Sequence, residues 1–465
     1  MTDRTLVLGR WVWVERDSGP ELLEDHAVLV EGDRIAGVTP VAETVGWDTR
    51  RIEVADGLVL PGLINAHTHV GSSPPLRGIP EDLPSVGQGG SALFQVTSPV
   101  TDLLYSPEFA SELAAFAAWD LLQLVRCGVT CVVNETVAGF DDYVAAALQA
   151  GVRTYVSPMF PAGNRARGFL RDGAVVYAAS EGLQADLDQS LAYHARYHGR
   201  GEDRVRVKIS PHAPDTVDPD TLRAVRAAAS ELGCPITIHA AQSRNEVNQV
   251  RQRYGRSSLA HLAALGFLGP DVLVTHATYP EDGDLAVLRD AGATVVHCPT
   301  RKAREAALSP YVPYLEAGVR TALGTDAYNM DLVEDMKLAA TLGKISGGSV
   351  SRPTARDVVL SATRHAADAL GRSDLGRIAA GARADLTVVR LDGPHHAPVL
   401  EPLRSLVYYS SGTDVDTVLV DGRILLHSGR LRLVDEATLR RAAEQAAQHL
   451  WRTARARGAL QALAR

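Results

Sequence analysis

Between about residue 58 and residue 370 the sequence repeats one local event: a helical stretch ends in glycine and a β-branched run follows. Gly128 precedes 129–133, Gly151 precedes 152–156, Gly233 precedes 236–238, Gly292 precedes 294–296 and Gly318 precedes 319–323. Glycine closes a helix in the left-handed conformation without Cβ strain, and β-branched residues suit the pleated surface that follows. Read along its length, this region holds eight strands, near 60–66, 129–134, 153–158, 204–210, 235–239, 271–276, 293–297 and 319–325. Apolar strands alternating with helices imply a parallel sheet covered on both faces. Eight repeats close most economically into a (β/α)8 TIM barrel, an α/β fold. An open doubly wound sheet would want a glycine-rich phosphate turn after its first strand; His67-Thr68-His69 stands there instead.

The flanks carry a different rhythm. Short strands at 5–8, 11–15, 27–30 and 34–38 are matched near the other end by 384–389 and 417–420, and the turn text Val30-Glu31-Gly32-Asp33-Arg34-Ile35 is echoed by Val420-Asp421-Gly422-Arg423-Ile424. This is hairpin chemistry. The expectation is a small β-sandwich domain assembled from both ends, 1–57 plus 371–434, around a 58–370 barrel. Residues 435–465 then form a C-terminal helix, with Leu439, Ala443, Ala446 and Leu450 on its packing face. The first barrel helix is expected to start at Ser106-Pro107-Glu108, with Phe109, Leu113, Phe116 and Leu124 along one side.

Charge and composition narrow the partners. Net charge is −8 over 465 residues, and no Lys/Arg-dense run occurs outside the C-terminal tail, which argues against a nucleic-acid surface. No apolar stretch approaches transmembrane length, and the N-terminus shows no basic segment followed by an apolar run. Cys127, Cys131, Cys234 and Cys298 are scattered without a CxxC, as befits reduced thiols. A cytoplasmic protein acting on a small molecule, not on nucleic acid or membrane, is the expectation.

Barrel chemistry sits at the C-terminal ends of strands. Those positions read Asn134, Pro211-His212, His239, His276, His297-Cys298 and Asp326, after His67 and His69 at the first. Six of the chain's 15 histidines therefore fall at strand ends, which scatter would not produce. Alternate residues of an extended backbone face one way, so His67 and His69 project together. With His239 and Asp326 they form a three-nitrogen, one-oxygen set that leaves room for water, the arrangement of a catalytic metal. Such a cation acidifies its water and polarises the substrate. Asp326 takes the proton, and His276 holds the attacking water or serves as a further ligand. One divalent metal is expected, zinc first, with iron, manganese and cobalt compatible with the same donors.

The ordered text PGLINAHTH (61–69), SPHAP (210–214), ITIHAAQ (236–242), VTHATY (274–279), VVHCPT (295–300), ALGTDA (322–327) and AGARADL (380–386) resembles the amidohydrolase superfamily, in the branch of amino-heterocycle deaminases and triazine chlorohydrolases. The resemblance spans nearly the whole chain. It implies a metal-dependent hydrolase of carbon–nitrogen bonds other than peptide bonds, acting at an sp² carbon of a small molecule, as a homo-oligomer (dimer or tetramer).

Three departures matter. Deaminases of this branch carry Glu where this chain has Gln242, and an amide cannot ferry a proton at neutral pH; Glu246, one turn on, is the candidate carboxylate to replace it. After His297-Cys298-Pro299-Thr300 comes Arg301-Lys302-Ala303-Arg304 in place of the branch's Ser-Asn and Lys-Leu. Lys208 on the fourth strand is the kind of residue that some amidohydrolases carboxylate to bridge a second metal. Without the carboxylate at 242, direct attack on a urea, carbamate, thiocarbamate or amide carbon is the preferred reading, cleaving C–N or C–S as phenylurea and thiocarbamate (molinate) hydrolases do. Deamination of an N-heterocycle is the alternative, and a non-catalytic metal-binding scaffold the third. His212, Gln242 and His297 are the candidate substrate contacts. The loop 74–84 with the glycine-rich stretch 87–90 is a candidate cap, and Asn329 and Asp331 are placed to start the helix after Asp326.

Overall fold

The computed structural model describes residues 4–79, 81, 98–161, 168–171, 174–177 and 182–458. Both chain ends enter a single nine-stranded sheet, so the terminal β-domain is one continuous ladder. Its order is Arg430–Leu431, Arg423–His427, Val415–Val420, Leu386–Arg390, Arg50–Pro61, Arg4–Arg16, His26–Glu31, Arg34–Pro40, with Gly19–Glu24 alongside Arg4–Arg16. The cause is the length of Arg50–Pro61. Its first part runs parallel to Arg4–Arg16, and its last five residues pair antiparallel with Leu386–Arg390. One strand thus joins the two ends, and it carries the sheet past residue 57 to Pro61.

The strands expected at 5–8 and 11–15 are one 13-residue strand. A bulge between Gly9 and Trp11 interrupts its pairing with Arg50–Pro61. A Cβ at position 9 would stand 2.6 Å from the Gly57 carbonyl oxygen, so the glycine marks a close approach of two backbones, not a turn.

The central strands are β1 (Leu63–Thr68), β2 (Val129–Thr136), β3 (Arg153–Phe160), β4 in two pieces (Val205–Val207 and Ser210–Pro211), β5 (Ile236–Ala240), β6 (Val272–His276), β7 (Thr294–His297) and β8 (Arg320–Leu323). They form two parallel sheets, β1-β2-β3-β4 and β5-β6-β7-β8. The free edges of the two sheets touch through parallel bridges at Thr68–Asp326 and Ile209–Ile236. The Asp326 amide donates to the His67 carbonyl (3.0 Å) and the Thr237 amide to the Ile209 carbonyl (3.1 Å). Ile64, Ala66, Cys131, Val133, Tyr155, Leu273, Val296 and Ala322 pack together as one buried cluster between the sheets.

Helices cover the outside. The Asp218 side chain accepts from the Asp220 and Thr221 amides ahead of Pro219–Leu232. The Ser106 signal starts only a short 3-10 turn, Pro107–Phe109, and makes no side-chain cap; the helix proper is Ala110–Arg126. The terminal helix Glu436–Ala456 buries Ala443, Ala446, Leu450 and Ala454 against Leu104, Phe109 and Phe116. At the base, Arg153 of β3 donates to Asp385 Oδ2 (2.6 Å) and Oδ1 (3.1 Å) and also to Asp421, tying the central body to the terminal sheet. Among the described residues no helix is long and apolar enough to cross a membrane.

Candidate metal centre

The strand ends converge. The His67 ring centroid lies 4.8 Å from that of His69, 4.9 Å from His239 and 5.8 Å from His276. Asp326 Oδ1 is 3.7 Å from His69 Nε2, and Oδ2 is 3.5 Å from His276 Nε2. Potential ligand atoms of His67, His69, Glu135 and His239 all lie within 4.8 Å of one another, as do those of His67, His276 and Asp326.

The backbone presets this geometry. His276 and Asp326 adopt positive φ (76° and 58°), unusual for residues with a Cβ and found where surroundings enforce it. Gly324 permits β8 to pass β1, because a Cβ there would lie 2.8 Å from the His67 carbonyl oxygen. Asn65 Nδ2 donates to Thr325 Oγ1 (2.8 Å) and Asn65 Oδ1 accepts from the Thr325 amide (3.1 Å), locking the loop that carries Asp326.

Hydrogen bonds also set the tautomers. His69 Nδ1 meets the Glu135 carbonyl at 3.2 Å and His239 Nδ1 meets the His212 carbonyl at 3.2 Å. A carbonyl only accepts, so both Nδ1 atoms carry the proton and both Nε2 atoms keep a lone pair, the usual support of a ligating imidazole. His67 is fully buried and neither of its ring nitrogens has a hydrogen-bond partner. An orphaned imidazole of this kind calls for a partner, and a cation supplies one. Burial lowers His67 to about 4 and His239 to about 3, and pushes His276 well down, leaving neutral rings suited to ligation. Burial opposes ionisation of Asp326, yet His67 and the Arg301 guanidinium, among other neighbours, hold its carboxyl at about 2. The donor set fits a divalent metal.

Glu135 is the residue that sequence reasoning passed over. It lies between the histidines and Lys208: its Oε1 is 3.8 Å from His67 Nδ1 and 3.5 Å from Lys208 Nζ, and its Oε2 is 3.7 Å from His239 Nδ1. The available signal was parity, since Cys131 and Val133 face the inner cluster and Glu135 continues their alternation on β2.

The other named residues divide. Lys208, buried and lowered by burial to about 8, donates to Thr237 Oγ1 (2.7 Å) and to Ser210 beside Glu135. His212 stands next to His239 (centroids 5.3 Å), with Nδ1 2.9 Å from Thr216 Oγ1. Gln242 is half-buried, its amide donating to Glu246 Oε2 (2.9 Å) and its carbonyl accepting from Lys302 Nζ (3.1 Å). Glu246 is thus engaged by backbone, with burial pushing its carboxyl up to about 8. His297 belongs to neither ligand group; its ring stacks on Tyr311 (4.9 Å, 13°). β7 ends with this ring packed on Tyr311. Arg301, only flagged as a departure, puts Nε 3.5 Å from Asp326 Oδ2. Asp331 caps Leu332–Gly347 through the Val333 and Glu334 amides. The described part of the loop after His69 is pinned by the Gly71 amide and Arg77 Nη2 on Asp120 (2.9 Å each); the glycine-rich stretch 87–90 lies outside the described residues.

A parallel-stranded α/β body with histidines and an aspartate gathered at its strand ends defines the class of metal-dependent hydrolases. The chain belongs to the amidohydrolase family, whose model matches residues 58–425. It is an enzyme that hydrolyses carbon–nitrogen bonds. It is 32% identical to a 5′-deoxyadenosine deaminase of Methanothermobacter thermautotrophicus, over 93% of this chain and 98% of that protein. It is 31% identical to a 5-methylthioadenosine/S-adenosylhomocysteine deaminase of Haloarcula marismortui, covering 94% and 93%. The structure of a zinc-bound adenosine deaminase from Xanthomonas campestris superposes with a TM-score of 0.82 at 27% identity, covering 96% and 98% of the two chains. The fold is shared too with zinc-bound atrazine chlorohydrolase from Arthrobacter aurescens TC1 (TM-score 0.83, 23% identity, 95% and 100% covered).

Proposed function

We propose that this chain is a hydrolytic deaminase of an amino-substituted N-heterocycle of the adenosine-derivative class, built on a closed (β/α)8 barrel with one divalent metal, zinc first. The observation that carries it is the convergence of His67, His69, His239, His276 and Asp326, in a chain whose relatives over nearly their whole length deaminate adenosine derivatives. This moves the emphasis from the urea and carbamate reading to the alternative drawn from the sequence.

His67, His69 and His239, with Asp326, would hold the metal, which when bound supplies acidified water and a polarised electrophile. The residues do the rest. Asp326, ionised and beside His276, accepts the proton from the attacking water and returns it to the departing amine, so substrate amine plus water yields a carbonyl and ammonia. Neutral His276 orients the attacking oxygen by hydrogen bonding from the Asp326 side. His212 lines the side next to His239, where a heterocycle edge would be received. Gln242 donates or accepts one hydrogen bond but relays no proton. Lys208 balances Glu135 through a contact of 3.5 Å beneath the histidines, which favours one metal over a carboxylated-lysine pair.

Gln242 is the observation that keeps the second reading: attack on a urea, carbamate or thiocarbamate carbon needs no ring protonation. The deciding experiment incubates metal-loaded enzyme with 5′-deoxyadenosine, methylthioadenosine, other aminoheterocycles, phenylureas and thiocarbamates, and measures ammonia and amine separately. Ammonia from an aminoheterocycle is expected. Amine or thiol release from the ureas or thiocarbamates, with no ammonia from any heterocycle, would overturn the first reading in favour of the second.

A further inference from the structure

A second group of metal-ligating side chains lies far along the chain from the centre described above. His395 and His396 follow the strand Leu386–Arg390, and Asp414 ends the turn Gly412–Asp414 just before Val415–Val420. His395 Nε2 is 3.2 Å from Asp414 Oδ1, and His396 Nε2 is 4.0 Å from Asp414 Oδ2. The two imidazole centroids are 4.2 Å apart, and one ligand atom from each of the three residues lies within 4.8 Å of the others.

Three features suggest a prepared site more than a chance surface pair. Asp414 is held by a capping box: its Oδ2 accepts from the Ser411 amide (2.8 Å), which leaves Oδ1 turned to His395. The His395 ring folds back over Gly393, where a Cβ would sit 2.6 Å from the ring; the His396 amide donates to the Gly393 carbonyl (2.9 Å), closing the turn that presents both rings. The His396 side chain is wholly buried, and its Nδ1 has no hydrogen-bond partner. His395, by contrast, is 46% exposed and opens the group to solvent.

We infer that His395, His396 and Asp414 bind one divalent transition-metal ion, in addition to the metal at the strand ends. Two imidazoles and a carboxylate suit zinc, nickel, cobalt or copper(II). Metal–ligand bonds of about 2.0–2.2 Å place ligand atoms up to roughly 4 Å apart; the 3.2 Å from His395 Nε2 to Asp414 Oδ1 lies within that reach, and His396 Nε2, which also faces Ser410 Oγ (3.4 Å), stands 4.0 Å from the capped Oδ2. Water completes the shell on the exposed side. The ion clamps the segment after Leu386–Arg390 onto the turn before Val415–Val420, two neighbouring strands of the terminal sheet. It stabilises the fold by mass action, increasingly as the free ion exceeds its dissociation constant.

The test uses tag-free full-length holoenzyme, already loaded at its first site, titrated with Ni²⁺ or Co²⁺ by calorimetry alongside the variants His395→Gln and Asp414→Asn. His395 is exposed, so H395Q keeps the test open even if a change at buried His396 or capping Asp414 prevents folding. Wild type is expected to take up one further equivalent per chain, with H395Q losing at least ~10-fold in affinity for it while keeping its deaminase turnover. Absence of a further equivalent in wild type, or an equal affinity in H395Q, overturns the assignment.

Discussion

The proposed mechanism gives Asp326 two tasks at one position, 3.7 Å from His69 Nε2 and 3.5 Å from His276 Nε2. Replacing it with Asn keeps its size and removes its base. Asp326→Asn is expected to lower kcat/KM by about 10²–10⁴-fold, the scale of general acid–base catalysis, with an unchanged circular dichroism spectrum; near-wild-type turnover would remove Asp326 from the mechanism. Gln242 provides the complementary test. If loss of a proton carrier there limits ring protonation, Gln242→Glu raises kcat on aminoheterocycles and adds an acidic limb to the pH–rate profile, and an unchanged profile would place the limit elsewhere. At this scale the convergence of the strand-end histidines was legible because an extended strand fixes side-chain parity, and strand ends can be read from the glycine rhythm. Glu135 was not, since a lone carboxylate after Asn134 reads as a loop residue until the inward face of β2 is known. The stacking of the His297 ring on Tyr311 was not legible either, because that contact is made only in three dimensions.

Among the elements, the helix Leu332–Gly347 carries a testable charge. Asp335 is completely buried, accepts from the Thr300 amide (3.1 Å) and hydroxyl (2.6 Å), and burial pushes its carboxyl up to about 8. An unfolded Asp titrates near ~3.9. The folded state therefore binds more protons between those values, so this group's contribution is full below about pH 4 and is lost as pH rises to about 8. Asp335→Asn should flatten that slope. Thermal unfolding at a series of pH values should show wild type losing stability relative to D335N across the window, and parallel curves would contradict the sign. The Arg153 junction is the other sensitive element. Arg153→Met takes the guanidinium from buried Asp385, while Asp421 keeps Arg383 (3.1 Å), and urea unfolding should report a loss of about 3–5 kcal/mol; a loss below ~1 kcal/mol would mean the pair contributes little. The alternation of helix and strand was legible because caps and periodicity are local. The single terminal sheet was not, because it depends on Arg50–Pro61 pairing with strands from both ends of the chain.

For the whole molecule, family and architecture agree with the strand-end chemistry, while the comparisons favour the alternative substrate reading over the one drawn from a single position. Gln242 argued for ureas and thiocarbamates; relatives matched over nearly their full length deaminate adenosine derivatives. One amide constrains how a proton moves, whereas the overall match bears on what the pocket receives. The central claim is that distant side chains share one cation, and metal content tests it most directly. Wild type, His69→Asn and His239→Asn, each carrying H395Q to silence the terminal-sheet site, would be dialysed against metal-free buffer and analysed for zinc, iron, manganese and cobalt. The account predicts about one tightly held equivalent per chain in the parent, and loss of both metal and ammonia release in the two ligand variants. Equal metal content in all three proteins, or full turnover in a metal-free parent, would contradict it.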